Sequence, residues 1–235
     1  MKTTRLTSAI LLAAAAILPS CDSDQDVHDP VVYNIVELTE RDASGTTFHY
    51  YPAPGNTPTV LRAATRSATE TNPGECLFLG YSENATDKAS AETPITVRSV
   101  ARILNTEARL ATPDEIAGWD AEPINLLALW RAGEKIILRC LMTADDTPRH
   151  FGLLIDSSTL GEPVPTAYIY HRREDPRPNY SSQYYTAFSL APLLHPADPS
   201  AETAPAADPR AAYTALRVRV ANSANPALDE ITIPL

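Results

Sequence analysis

The chain has 235 residues, with 19 basic against 29 acidic side chains, a formal net charge of −10 and 44% hydrophobic residues. That length allows one large or two small hydrophobic cores. An acidic balance with no cluster of Lys and Arg argues against a nucleic-acid partner, because phosphate binding needs basic side chains gathered on one face.

The N-terminus carries the most specific signal. Lys2 and Arg5 form a small positive region, and Ile10 to Leu18 form an apolar run about half the roughly twenty residues needed to cross a bilayer. Leu18-Pro19-Ser20-Cys21 follows, a lipobox arrangement in which the Cys21 thiol can take a diacylglyceryl group. Residues 1–20 are therefore expected to be a lipoprotein signal peptide. The mature chain would be held at a membrane through lipid on Cys21, each buried methylene contributing about 0.8 kcal/mol. Residues 21–27, with Asp22, Asp24 and Asp26, are too charged to fold locally and read as a solvated tether.

Residues 28–110 are expected to form a small OB-like barrel. Val31 to Glu40 reads as a strand, Asp42 to Gly45 as a turn, and Thr46 to Tyr51 as the returning strand of a hairpin. Prolines and glycine then break the pattern before a short strand, Thr59 to Ala63. Glu75 to Tyr81 and Pro94 to Leu104 complete about five short strands without a long helix, the number a small barrel needs.

Residues 111–122 hold a short helix and linker, expected to be the joint between two domains. Thr112 can cap the helix, Pro113 suits its first position, Glu115 can close a capping box and Gly118 ends it. So short a helix needs Ile116 and Trp119 packed against neighbours.

Residues 123–235 repeat the strand pattern. Ile124 to Trp130, Glu134 to Thr143, His150 to Ile155, Val164 to Arg172, Tyr184 to Leu190, Ala211 to Ala221 and Leu228 to Ile233 suggest an antiparallel β-sandwich. Ala132-Gly133 and Ala144 to Arg149 read as hairpin turns. The Pro- and Ala-rich segment from His195 to Pro209 reads as a long insertion. The fold class is thus all-β, an OB-like barrel followed by a sandwich.

The order of these features, a lipobox and acidic tether, a strand-rich first half, a capped helix, then EPINLLALW, a strand opening at His150 and YIYHRRED ahead of YYTAFSL, resembles the NigD-like lipoproteins of Bacteroidetes. The resemblance covers nearly the whole mature chain. It implies an N-terminal OB domain, a C-terminal β-sandwich and, for a founding member, a link to bacteriocin immunity. Where the family often has a His-Asn pair this chain has His171-Arg172. The acidic tether is similar to the export signal of surface lipoproteins in the same phylum, which implies the outer membrane, with surface exposure.

Candidate sites were weighed against plain structural roles. Cys76 and Cys140 can pair in an oxidising envelope or stay as buried thiols, and spacing leaves both open. His28, His49, His150, His171 and His195 show no metal-ligand spacing, so no metal or other cofactor is expected. A cluster of His150, His171 and Asp146 is outweighed by ordinary strand-end histidines. Glu174-Asp175 beside Arg172-Arg173 reads as a solvated charge cluster, and Ser157-Ser158 as a turn without a base.

Tyr168, Tyr170, Tyr180, Tyr184 and Tyr185 pair across strands or offer contact area to a ligand. Tyr168, Tyr170, Tyr184 and Tyr185 are the candidate contacts. The expectation is a non-enzymatic, lipid-anchored binding or accessory module for a protein or peptide partner. A carbohydrate-binding lipoprotein is the alternative, and it requires a row of exposed rings on one sheet face. A hydrolase requires titratable groups converging in one pocket.

Overall fold

The structure, a computed structural model, describes residues 30–52, 57–84, 91–118, 121–144, 149–173, 180–195, 213–223 and 228–235. The expected signal segment, Cys21 and the expected acidic tether lie outside these residues, as do His28, Trp119, Asp146, Glu174-Asp175 and residues 196–209. Among the described residues no helix is long and apolar enough to cross a membrane.

The fold is all-β, as the strand patterns require. Five strands, β1 (Val32–Asp42), β2 (Gly45–Tyr50), β3 (Thr59–Ala63), β4 (Cys76–Glu83) and β5 (Glu92–Arg102), close into a barrel in the order β1-β2-β3-β5-β4. This is the five-stranded OB arrangement. Val36, Leu38, Phe48, Leu61, Leu77, Leu79, Tyr81 and Ile95 fill it. Each full burial of such a side chain contributes about 2 kcal/mol.

The second unit comprises β6 (Leu104–Glu107), β7 (Arg109–Ala111), α1 (Pro113–Ala117), β8 (Asn125–Ala132), β9 (Lys135–Ala144), β10 (Arg149–Asp156), a 3-10 turn (Ser157–Thr159), β11 (Thr166–Arg173), β12 (Tyr180–Ser189), α2 (Ala191–Leu194), β13 (Ala215–Ala221) and β14 (Leu228–Pro234). Its two sheets run β14-β13-β11-β10-β7 and β6-β12-β9-β8. Ile136, Leu138, Cys140 and Phe188 from one sheet and Leu153, Ile155, Ile169, Leu216 and Val218 from the other build one sandwich core.

Three expectations change. First, the boundary at residue 110 moves to Ile103, because β6 pairs with β12 and β7 with β10 inside the sandwich. The buried Ala108 is the corner where the chain leaves one sheet for the other, and its N–H bonds Ser189 O at 2.8 Å. The helix therefore sits within the second unit rather than between the two. Its capping box is formed as expected: Glu115 N donates to Thr112 Oγ1 at 3.3 Å and Thr112 N to Glu115 Oε2 at 2.7 Å.

Second, β9 and β10 do not pair as the expected hairpin. β9 and β10 belong to opposite sheets, where the inward sets Leu138/Cys140 and Leu153/Ile155 face each other across the core. Third, the sandwich is mixed: β6/β12, β7/β10 and β11/β13 run parallel, each joined by a crossover, while its hairpins are antiparallel.

The two units are fastened together. β4 buries both faces: Leu77 and Leu79 point into the barrel, while Cys76 points out into a second cluster with Ala132, Ile137 and Ala187 of the sandwich. That double burial explains why Glu75 to Tyr81 reads as a continuous apolar run rather than an alternation. The same reason puts Ile136, Ile137 and Leu138 in sequence on β9.

A candidate binding cleft at the joint of barrel and sandwich

The joint is held by matched polar groups. Asn105 accepts from Cys76 N at 2.7 Å and donates to Cys76 O at 2.8 Å, clamping β6 to β4. Lys135 Nζ lies 2.6 Å from Glu37 Oε1, and both side chains are largely buried, 13% and 18% exposed. Tyr51 donates to the same carboxylate at 3.3 Å; burial first, then Glu37, pushes its hydroxyl pKa up to about 12. Gly133 has φ +59° and lies against Tyr51, where a Cβ would come within 2.7 Å of the ring.

Beside this joint the surface opens into a cleft of about 440 Å³, lined by Phe78, Ala101 to Leu104, Arg149, Phe151 and Gln183 to Thr186. A second hollow of about 250 Å³ adjoins it, with Phe78 and Tyr185 as the shared wall and Tyr33, Tyr50, Trp130 and Arg139 further round. The wall is an aromatic stack. Tyr33 lies on Phe78 with centroids 5.8 Å apart and planes 16° apart, and Phe78 meets Tyr185 at 5.5 Å. Gly80 makes room for Tyr33, its cross-strand partner: a Cβ there would sit 2.7 Å from the ring.

Guanidinium groups cover two of the rings. Arg139 lies over Tyr185 at 5.9 Å and Arg149 over Tyr184 at 5.1 Å. Gln183 Oε1 accepts from Arg139 Nε at 3.1 Å and from the Tyr185 hydroxyl at 3.2 Å, which fixes that corner. Arg102, Arg139 and Arg149 line the two hollows, and no carboxylate among the described residues does. Glu75, outside the lining, feels Arg102 weakly; the Asn72 N–H is the main reason its pKa is lowered.

The four tyrosines expected to act as contacts split into two pairs. Tyr184 and Tyr185 belong to the joint cleft. Tyr168 and Tyr170 lie on the other sheet, in a separate hollow of about 190 Å³ with Ile116, Leu154 and Arg219. Arg219 donates to Tyr168 Oη at 3.2 Å and to Glu230 at 3.0 Å, and Glu230 chiefly raises its pKa. The four rings do not form one row, and arginines lie over three of them. Tyr180 begins β12. Sequence reasoning missed Tyr33, Phe78, Arg102, Arg139 and Arg149. The one available signal was Arg139 standing inside an apolar strand on the face opposite the core.

The remaining candidates are dispersed. His150 and His171 hold successive register positions, opposite Arg172 and Phe151, and so point to opposite faces. His171 is buried against Phe151 at 4.7 Å, with Nδ1 3.4 Å from Glu122 O. His49 meets Tyr51 edge-on and His195 pairs with Glu134 at 3.0 Å. Asp156 accepts from Ser158 N and Oγ, so Ser157-Ser158 serves a turn. Cys76 and Cys140 are free and buried, and burial pushes both thiols up to about 12. Among the described residues no three His, Cys, Asp or Glu gather as a metal site.

No protein-family model and no curated protein matches the chain. Solved structures do. A protein of unknown function DUF1344 from Bacteroides vulgatus aligns over 88% of this chain and 91% of its own, at TM-score 0.66 and 8% identity. The "putative lipoprotein" of Bacteroides fragilis aligns over 87% and 98%, at 0.60 and 11%. A NigD-like immunity protein from Bacteroides caccae aligns over 85% and 91%, at 0.55 and 12%. The chain has the fold of these Bacteroidetes proteins, a NigD-like immunity protein among them.

Proposed function

We propose that this chain is a NigD-like lipoprotein of the cell envelope, held in the outer membrane by lipid on Cys21 and facing the cell surface. Its barrel and sandwich act together as a non-enzymatic binding module for a protein or peptide partner. The observation that carries the reading is the cleft at the joint, lined by rings and guanidiniums from both units. Concave, largely apolar sites with a few fixed polar groups are where proteins take ligands. The lipobox supports the anchoring, and the likeness to a "putative lipoprotein" agrees with it.

The test uses photo-crosslinking in intact cells. A crosslinker at Leu104, exposed in the cleft, should capture a partner that one at Leu110, exposed and lining neither hollow, does not. The same capture pattern at both positions overturns the reading. Cys21→Ser should release the protein from the membrane fraction; unchanged fractionation removes the anchor. Immunity is the particular role the NigD-like neighbour suggests: a deletion strain with unchanged survival against neighbouring strains' bacteriocins counts against it.

A further inference from the structure

We infer that the smaller hollow at the joint, of about 250 Å³, receives a single aromatic side chain of the partner, with a carboxylate beside that ring meeting Arg139. This rests on the binding-module reading and names the chemistry of the group that the site takes.

The walls are the first ground. Tyr33, Tyr50, Tyr51 and Phe78 come from the barrel and Trp130 and Tyr185 from the sandwich, so both units line the hollow with rings. Rings prefer to meet other rings offset or edge-on, and the wall already packs in that way from Tyr33 through Phe78 to Tyr185. A guest ring continues the same packing. Support lies behind the wall: Ile35, Tyr51 and Trp130 line the hollow and also pack on the buried cluster of Cys76, Ala132, Ile137 and Ala187. An aromatic anchor therefore extends the interface between barrel and sandwich outward. Tyr33, at 55%, is the most exposed large apolar side chain among the described residues, and such an anchor gives it a partner to pack on.

Size is the second ground. Pockets that enclose a drug-sized ligand measure roughly 300–1,000 Å³. This hollow falls below that range. It suits one ring, as do the pockets at the centre of protein interfaces, where aromatic anchors dominate the binding energy.

Arg139 is the third. It lines the hollow, donates from Nε to Gln183 Oε1 at 3.1 Å, and lies over the Tyr185 ring at 5.9 Å. These two neutral contacts orient the guanidinium and use one of its N–H groups. The terminal N–H groups form the fork that matches a carboxylate. Glu37, behind Tyr51, is answered within the joint by Lys135 and by the Tyr51 hydroxyl.

The test is isothermal titration of the full chain in non-ionic detergent with N-acetylphenylalanine, protein-free micelles serving as the blank. Saturable binding is expected. N-acetylphenylalaninamide, which lacks the carboxylate, should bind about tenfold more weakly, and N-acetylleucine, which lacks the ring, about threefold or more. Tyr33→Ala should weaken N-acetylphenylalanine about threefold and Arg139→Gln about tenfold, while Arg139→Gln leaves the amide little changed and Arg219→Gln, in the other hollow, changes neither probe. Thermal melts confirm that each variant is folded. No saturable binding, equal binding of the amide or of N-acetylleucine, equal loss in Arg219→Gln, or displacement of the probe by a lower concentration of methyl glucoside would overturn the inference. If it is overturned while Leu104 still captures a specific partner in cells, only the aromatic anchor falls; if both experiments fail, so does the binding module.

Discussion

Two hollows in this molecule set tyrosine beside arginine, and they differ in what the arginine faces. On the outer sheet face Arg219 is engaged by Glu230 and Tyr168, so its charge is spent within the fold. At the joint, Arg139 is bonded to the neutral Gln183, and no acid among the described residues lines its hollow. The first arrangement is cross-strand pairing of the kind that steadies any sheet. The second holds its guanidinium by a ring face and a neutral amide. Residue type alone does not separate these cases; the neighbour's charge does.

The contrast extends to how the two places are supported, and its largest expected effect lies beneath the joint. Lys135→Met leaves the Glu37 carboxylate largely buried without its ammonium, and should lower stability by about 3 kcal/mol in urea titrations. A loss below about 1 kcal/mol would mean that the joint does not depend on this pair. Next comes Gly133→Ala. It places a β-carbon against Tyr51, whose hydroxyl is held by Glu37, at a positive φ, and should cost about 2 kcal/mol. A melting temperature equal to that of the parent would show that Tyr51 is free to move aside.

Alkaline titration gives a smaller effect. Cys76 sits in the joint, and Cys140 lies in the core opposite Tyr184 in the sheet. Both thiols have folded pKa values of about 12 against an ordinary 9.0. A raised acid stays neutral in the folded chain while the unfolded chain releases its proton. Stability is thus fully present below about pH 9 and is lost as pH rises toward 12. At pH 10 each thiol should account for about 1 kcal/mol, and the C76A/C140A variant should show a shallower alkaline decline. An identical decline in that variant would contradict the burial of the thiols. The smallest effect is expected at the outer hollow: Glu230→Gln breaks pairs whose members are about a third or more exposed and should cost no more than about 0.5 kcal/mol. A loss as large as that of Lys135→Met would erase the contrast.

Much of the fold was legible because its signals are local. The strand Thr59 to Ala63 and the capping box of Thr112 and Glu115 were readable in full, since each depends on neighbours a few residues away. β6 and β7 were not. Leu104 to Ala111 is short and weakly alternating, and its pairing partners on β12 and β10 are distant in sequence. Of the candidate contacts, Tyr184 and Tyr185 did reach the cleft, but strand membership sent Tyr168 and Tyr170 elsewhere. Phe78 and Arg139 looked like core and surface, because nothing local says that the outer face of one strand will meet another domain.

By itself the sequence determined an all-β chain with an OB-like first half and a sandwich second half. Those features rest on periodicity, turn chemistry and short motifs. Only the tertiary structure decided that the two units lock through Glu37, Lys135, Cys76 and Asn105. It also decided that β1, β2, β4, β5, β8, β9, β10 and β12 bring rings and guanidiniums to two adjoining hollows. Such a site has no local code, because its energy comes from contacts between residues that the chain itself keeps far apart.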